Sequence, residues 1–300
     1  MVQVLGVDLE VGQPITLGPL SVFPLLSTAR GTQTYLSSPE AFEKGLMVVR
    51  ELDPPNVPYL NVENLANLPL LLVEGETLVG GSQDRTLNAT VLVAANSRTK
   101  IPVSCVEEGR WEDPSEVARA RSHLPGSLRA TKIASLSHED GPERWSSDQG
   151  RVWDEVDRHA RRFNVHSETY ALDDVQEAAL GEFEALLEDV RPLPNQVGIV
   201  CAGSGSVLGL DLFDRPDTLD GYLKALVAGY RLDVDREAGP VLVGEVERFL
   251  AQVSDGHAVT GPAVGIGEEV RLDGAVTGLG LRVDGELLHL VAFPQPHSAV

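Results

Sequence analysis

The chain has 300 residues, with 24 basic against 45 acidic side chains, a formal net charge of −21, 42% hydrophobic residues, 29 Gly and 19 Pro. This is the composition of a globular protein with a sizeable core and many turns, organised as one large domain or two closely packed ones. So negative a field repels polyanions, which excludes nucleic acid and anionic membrane as expected partners.

The opening MVQVLGVDLEVG lacks the basic start and apolar run of a signal peptide, and no apolar stretch approaches the roughly 20 residues of a membrane helix. The two cysteines, Cys105 and Cys201, sit in apolar strand-like runs and fit a reducing compartment. A soluble, cytoplasmic protein is expected.

Residues 2 to 25 alternate short β-rich runs with Gly and Pro, as edge or hairpin strands do. SSPEAFEKGL carries helix-start signals at Ser38 and Pro39 and ends near Gly45. LMVVREL, VPYLNVEN, PLLLVEG, TLVGG, LNATVLVAA and TKIPVSCVE then predict about six strands between residues 46 and 107. From Glu112 to Gly150 the pattern dissolves into Ser, Pro, Gly and charge, a candidate loop or lid with short structure at Pro114 to Ala120 and LRATKIASL. Val152, Val156, Ala160 and Phe163 recur at helical spacing, as do Val175, Ala179, Phe183, Leu186 and Val190. QVGIVCA and SVLGLDLF read as a hairpin across Gly203-Ser204-Gly205. Pro216 opens a helix with Leu219, Leu223, Leu226 and Tyr230 on one face, and a further helix spans about Val241 to Val253. The tail EEVRLDG, VTGLGLRV and ELLHLVAF is strand-like, with a hairpin at VDGE. The resulting fold class is α+β. A mostly antiparallel unit occupies residues 1 to 111, a loop or lid 112 to 150, and a helix-containing half 151 to 300 whose last strands join or pack on the first unit.

Familiar chemical motifs are sparse. Gly203, Gly205 and Gly209 have the wrong spacing for a dinucleotide loop and precede a strand. The seven histidines are scattered without ligand spacing, so a zinc site has little support. Polar residues instead concentrate in LLLVEGETLVGGSQDRTLNATVLVAANSRTKIPVSCVEEGRW. Here Glu74, Glu76, Asp84 and Glu107 could supply hard oxygen ligands to magnesium, or Glu74 and Glu76 could merely flank the turn at Gly75. Arg85 follows a Gly-Gly bend and could grip a carboxylate or phosphate, or pair internally with Asp84, Glu76 or Glu107. Arg110 beside Trp111 suits stacking of a base or sugar, although a Trp that plugs the sheet end is the commoner outcome. Cys105 has no basic neighbour in sequence and reads as an inert buried thiol. Gln149 opens the first long helix and could reach back to this region. LPLLLVEGETLVGGSQDR and LPNQVGIVCAGSGSVLGLDLFDR share a weak likeness that either duplication or similar turn chemistry explains.

At EGETLVGGSQDR, LNATVLVAANS and IPVSCVEEGRW, joined to QGRVWDE and VLGLDLFD, the chain resembles the ADP-ribosylglycohydrolase- and rhodanese-phosphatase-associated proteins, a domain family of unknown function. The resemblance covers most of the chain and implies a pathway of ADP-ribose or NAD-derived chemistry rather than a particular reaction. By position it points to Glu76, Gln83, Asp84, Arg85, Glu107, Arg110 and Trp111 as the polar centre, expected to converge in one cleft. Glu76, Asp84 and Glu107 would be the catalytic carboxylates, and Gln83, Arg85, Arg110 and Trp111 the ligand-binding groups. Three function classes stay open: an enzyme working by hydrolysis or group transfer on an anionic, nucleotide-like small molecule, a non-catalytic binder or sensor of the same ligand, and an assembly protein whose charges pair inside its own sheet. Oligomeric state stays open as well.

Overall fold

The computed structural model describes every residue except 55, 111–116, 138–140, 142, 182, 235–238, 240 and 296–300. The chain begins with β1 (Val2–Val4), β2 (Val7–Val11), β3 (Ile15–Leu17) and β4 (Leu20–Leu26), followed by β5 (Leu36–Ser37), α1 (Ser38–Glu43), β6 (Met47–Glu51) and β7 (Tyr59–Asn64). Next come β8 (Leu70–Leu72), β9 (Thr77–Val79), β10 (Arg85–Leu87), β11 (Val91–Val93), β12 (Ser97–Cys105) and β13 (Ala118–Arg119). Five helices surround one hairpin: α2 (Gly126–Ala134), α3 (Gln149–Phe163), α4 (Leu172–Leu180), α5 (Phe183–Glu188), then β14 (Gln196–Gly203), β15 (Ser206–Phe213) and α6 (Pro216–Arg231). The chain closes with α7 (Val243–Asp255), β16 (His257–Pro262), β17 (Glu268–Asp273), β18 (Val276–Val283) and β19 (Glu286–Pro294).

The α+β class holds, with almost wholly antiparallel sheets. The largest sheet runs β1-β2-β4-β14-β15-β19-β18-β17-β16, with β3 also on β4, so strands from both ends of the chain share it. A second sheet runs β13-β9-β10-β12-β7-β6, and a third β11-β8-β5. One face of the large sheet packs on α7 through Val246, Phe249, Leu250 and Val253. Its other face packs on α6 through Leu219, Leu223 and Leu226, and on Leu71, Val73 and Leu92 from around the third sheet.

Local chemistry explains the ends of α3 and the last hairpin. Asp148 caps α3 by accepting the Arg151 amide at 3.2 Å, and Asn164, at φ 53, closes it in the left-handed region. The β18–β19 turn uses Asp284 at φ 49 and Gly285 at φ 84, two successive positive values that match the twist of a two-residue hairpin. Two sequence expectations are corrected. The helix expected across Val175 to Val190 is two, because Gly181 takes φ 26, ψ −114 between α4 and α5. LNATVLVAA is not one strand: Leu87 ends β10 and Val91 starts β11 in a different sheet. The residues between carry polar anchors, Asn88 Nδ2 donating to Trp145 O at 2.8 Å and Thr90 Oγ1 accepting the Glu74 amide at 3.0 Å. The two stretches with a repeat-like likeness are also built differently, since VEGETLVGGSQDR spans β9 and a bend of the second sheet whereas QVGIVCAGSGSVLGLDLF is one hairpin of the first. Among the described residues no helix is long and apolar enough to cross a membrane.

Candidate functional site

Four of the sequence-predicted residues meet at the β9–β10 bend. Asp84 Oδ1 accepts from the Gly80 amide at 2.8 Å and from Arg110 Nη2 at 2.9 Å, while Glu107 Oε2 accepts the Asp84 amide at 3.0 Å. Arg110 spans the Glu107 carboxylate through Nε at 2.9 Å and Nη2 at 2.7 Å, and its Nη1 donates to Gly81 O at 2.9 Å. Gln83 Nε2 reaches Glu108 O at 3.2 Å and its Oε1 accepts from Cys105 Sγ at 3.2 Å. Burial pushes Asp84 up to about 6. Burial also opposes the charge on Glu107, but its bonds from Arg110 and the Asp84 amide outweigh that and hold it below the usual carboxylate range.

Arg85 and Glu76 stand apart. Among the described residues Arg85 has no ion pair with Asp84, Glu76 or Glu107; it is 2% exposed, its Nε donates to Val57 O at 3.4 Å, and its Nη1 has no hydrogen-bond partner. Glu76 belongs to a separate group, accepting from Ser38 Oγ, from Tyr222 Oη at 3.0 Å, from the Val73 amide at 2.6 Å and from Arg119 Nε at 2.9 Å. Trp111 lies outside the described residues. Gln149 does reach back as expected, its side chain pairing with both the N–H and the C=O of Cys105 at 2.9 and 2.8 Å. Cys105 and Cys201 are both free and buried, and burial raises both thiols, so neither is primed as a thiolate.

Glu74 turns away from Glu76 because Gly75 between them adopts φ +84, and a Cβ there would stand 2.7 Å from Arg129 Nε. Glu74 pairs with Arg129 Nε at 3.0 Å and Lys132 Nζ at 2.7 Å, and Arg129 grips Asp211 through two bonds of 3.1 and 2.7 Å. These four side chains are at most 1% exposed. Burial opposes ionisation of Asp211, yet Arg129 overrides it and holds the carboxyl well below the usual range. Among the described residues no three His, Cys, Asp or Glu side chains gather to hold a metal ion. The carboxylates considered for magnesium are each taken by a cation instead: Glu74 by Arg129 and Lys132, Glu76 by Arg119, and Asp84 and Glu107 by Arg110.

An open cleft lies elsewhere, where α2, α3 and α7 meet the ends of the β15, β18 and β19 strands. It has a volume of about 1040 Å³ and is lined by Arg151, Arg158, Arg162 and Arg248 together with Glu155, Asp233 and Glu245, and Arg151 also pairs with Asp148 at 3.3 Å beside it. Val207, Leu208, Phe249 and Phe293 contribute apolar wall. Arg158 pairs with Glu155 at 2.9 Å and Arg162 Nη1 donates to Leu232 O at 2.9 Å, whereas Arg248 has no ion pair among the described residues. Ser127, at the start of α2, donates from Oγ to Asp233 Oδ1 at 2.6 Å and stands 3.1 Å from His159 Nε2. Gly126 permits this approach, because a Cβ there would meet the Tyr230 ring at 2.7 Å and Asp233 Oδ2 at 3.1 Å. Burial pushes Asp233 up to about 6, and burial with Arg162 and Arg158 brings His159 down to about 4.

None of these cleft residues was singled out from the sequence, although part of the signal is legible there. Arg151, Glu155, Arg158, His159 and Arg162 recur at helical spacing, a polar stripe on α3 beside the apolar face of Val152 and Val156. Ser127 and Asp233 are 106 residues apart, and no local pattern joins them. No curated protein and no solved structure matches the chain. The family model of ARPP-1, the ARG and Rhodanese-Phosphatase-superfamily-associated Protein domain, matches residues 8–293, a span that takes in both the Arg110 cluster and the whole cleft wall except Pro294 and Gln295, and the chain therefore belongs to this family.

Proposed function

We propose that the protein is an enzyme acting by hydrolysis or group transfer on an anionic, nucleotide-like small molecule held in the cleft between α2, α3 and α7. One observation carries this reading: four arginines converge on a single concavity of about 1040 Å³ in a chain of net charge −21. Guanidinium groups supply fixed donors to phosphate oxygens, and the Val207, Leu208, Phe249 and Phe293 wall offers apolar surface to a base or sugar. The family name associates these domains with ADP-ribosylglycohydrolases and the rhodanese-phosphatase superfamily, a hint at a related pathway, so ADP-ribose and NAD derivatives are the first ligands to try.

The test is a thermal-shift panel of NAD, ADP-ribose, ADP and inorganic phosphate, with and without magnesium, on wild type, Arg248→Ala and Arg158→Ala. A ligand at a hundredfold its Kd stabilises the folded state by about 2.7 kcal/mol. The expected result is a rise in melting temperature with one of these anions that shrinks with added salt and disappears in Arg248→Ala. If none of the four raises the melting temperature of the wild type, the reading is rejected.

A second reading keeps the ligand at Arg85 and Arg110. It is favoured by the buried, unpartnered Nη1 of Arg85. Loss of the stabilisation in Arg85→Ala but not in Arg248→Ala would select it.

A further inference from the structure

Ser127, Asp233 and His159 form a hydrogen-bonded group that opens onto the arginine-lined cleft. A hydroxyl has one proton to give. Asp233 Oδ1 lies 2.6 Å from Ser127 Oγ and His159 Nε2 3.1 Å from it, so the charged and nearer carboxylate takes that proton. His159 then donates from Nε2 to Ser127 Oγ, and its Nδ1 is left as a bare acceptor. This agrees with the surroundings, since Nδ1 has no hydrogen-bond partner although His159 is only 3% exposed. A plain helix cap explains part of the arrangement, because Asp233 Oδ2 also accepts the Ser127 amide at 3.3 Å. Capping explains neither a histidine buried with an unmatched ring nitrogen nor the arginines that line the same cleft as the hydroxyl.

We propose that Ser127 is a nucleophile for phosphoryl groups, with Asp233 as its base. The inference rests on the cleft being the ligand site. In the first half-reaction the Ser127 Oγ to phosphorus bond forms while the bond from phosphorus to the leaving oxygen breaks. The Ser127 proton passes to Asp233, and the departing oxygen leaves as an anion that is protonated by solvent where its basicity requires it. In the second half, water attacks phosphorus and releases one proton to solvent, and Ser127 Oγ departs and recovers its proton from Asp233. The cleft arginines offset the charge of the transferring group. His159 is a positioning residue, its N–H fixing the direction of the Ser127 lone pair. The arrangement differs from a Ser-His-Asp triad in that the carboxylate contacts the serine and not the far nitrogen of the imidazole. Burial places Asp233 near neutrality, in the range suited to a general base.

A fluorophosphonate probe tests this directly, because its phosphorus loses fluoride to an attacking serine by the same displacement. The native full-length chain is treated with the probe, digested and mapped by mass spectrometry. A single adduct at Ser127 is expected, absent in Ser127→Ala and formed at least about tenfold more slowly in Asp233→Asn, given typical general-base contributions. The wild type supplies a control that needs no variant to fold: phosphonylation of Ser127 should be faster in native buffer than in urea. Equal or slower reaction in native buffer, or an unchanged rate in a folded Asp233→Asn, overturns the proposal. Ligand stabilisation that persists while Ser127 stays unlabelled would refute the nucleophile and leave the binding site. Labelling of Ser127 without any ligand stabilisation would do the reverse.

Discussion

Arg129→Met offers a sharp test of how the core is held together. Arg129 is 1% exposed and bridges Glu74 and Asp211, both fully buried, with Tyr230 Oη donating to the same Asp211 at 2.8 Å. Methionine fills a similar volume without charge, so the substitution leaves the Asp211 carboxylate buried without its main counterion. Removing one partner of a buried pair costs about 3–5 kcal/mol, a sizeable share of the roughly 5–15 kcal/mol by which domains are stable. At about 2–4 °C per kcal/mol the melting temperature should fall by roughly ten degrees. The sign with pH is also fixed. In the wild type Arg129 holds the Asp211 carboxyl below its unfolded value, so that contribution is full above the ordinary carboxylate pKa of about 3.9 and is lost only as pH falls through the lower folded value. In the variant His289 remains beside Asp211 but burial loses its main counterweight, so the carboxyl moves up from its wild-type position and the variant's deficit grows as pH rises through that higher folded value. The deficit relative to wild type, measured by urea unfolding with tryptophan fluorescence at pH 5, 6, 7 and 8, should therefore be largest at pH 8 and shrink toward pH 5. A deficit below about 1 kcal/mol, or one that grows on acidification, would refute the account.

Gln149→Ala should cost about 1–2 kcal/mol by stranding the buried N–H and C=O of Cys105, and hydrogen exchange in the peptide containing Cys105 should accelerate. Gln149→Glu should be no better, since a carboxylate cannot donate to Cys105 O, and a variant as protected as wild type would refute the pairing. Arg110→Ala should destabilise by about 1–2 kcal/mol at pH 7, its guanidinium being partly exposed. Arg110 keeps the Glu107 carboxyl low, so this contribution is present above the unfolded carboxylate range and fades as pH drops below it. Thermal melts at pH 7 and pH 4 should show the gap between wild type and variant narrowing at pH 4.

Much of the architecture is written in local pattern. The faces Val152-Val156-Ala160 and Leu219-Leu223-Leu226-Tyr230 and the turn residues at Asp284-Gly285 each depend on near neighbours, and the structure places them as the sequence predicts. The break at Gly181 escaped notice because apolar spacing continues across it from Val175 to Leu187. Arg129 and Lys132 escaped for a different reason. In LRATKIASL they look like solvent-facing cations, and what buries them are carboxylates 55 and 82 residues away, from Glu74 and Asp211. The concentration of polar residues between Leu70 and Arg110 was real but mixed three roles: Asp84, Glu107 and Arg110 tie a bend, Glu76 ties α1 to α6, and Glu74 neutralises the core. The cleft was not legible as a whole because the polar stripe of α3 is completed by Ser127 and Thr131 of α2, Glu245, Arg248 and Gln252 of α7, and Asp233 just after α6, which no single stretch encodes.

The placement of β4 beside β14 bears on how the chain is made. These strands pair from Ser21↔Ala202 to Leu26↔Gln196 and lie at the middle of the largest sheet. During synthesis at about 5–20 residues per second, β4 would wait roughly ten to thirty seconds on or near the ribosome before the segment that covers its inner edge has even been translated. Val22, Phe23 and Leu25, all buried in the finished protein, would spend that interval without their partner strand. Slow translation, or a pause placed after residue 26, would lengthen the exposure, and a nascent-chain chaperone that holds apolar strand edges would be most useful to this protein between the emergence of β4 and that of β14.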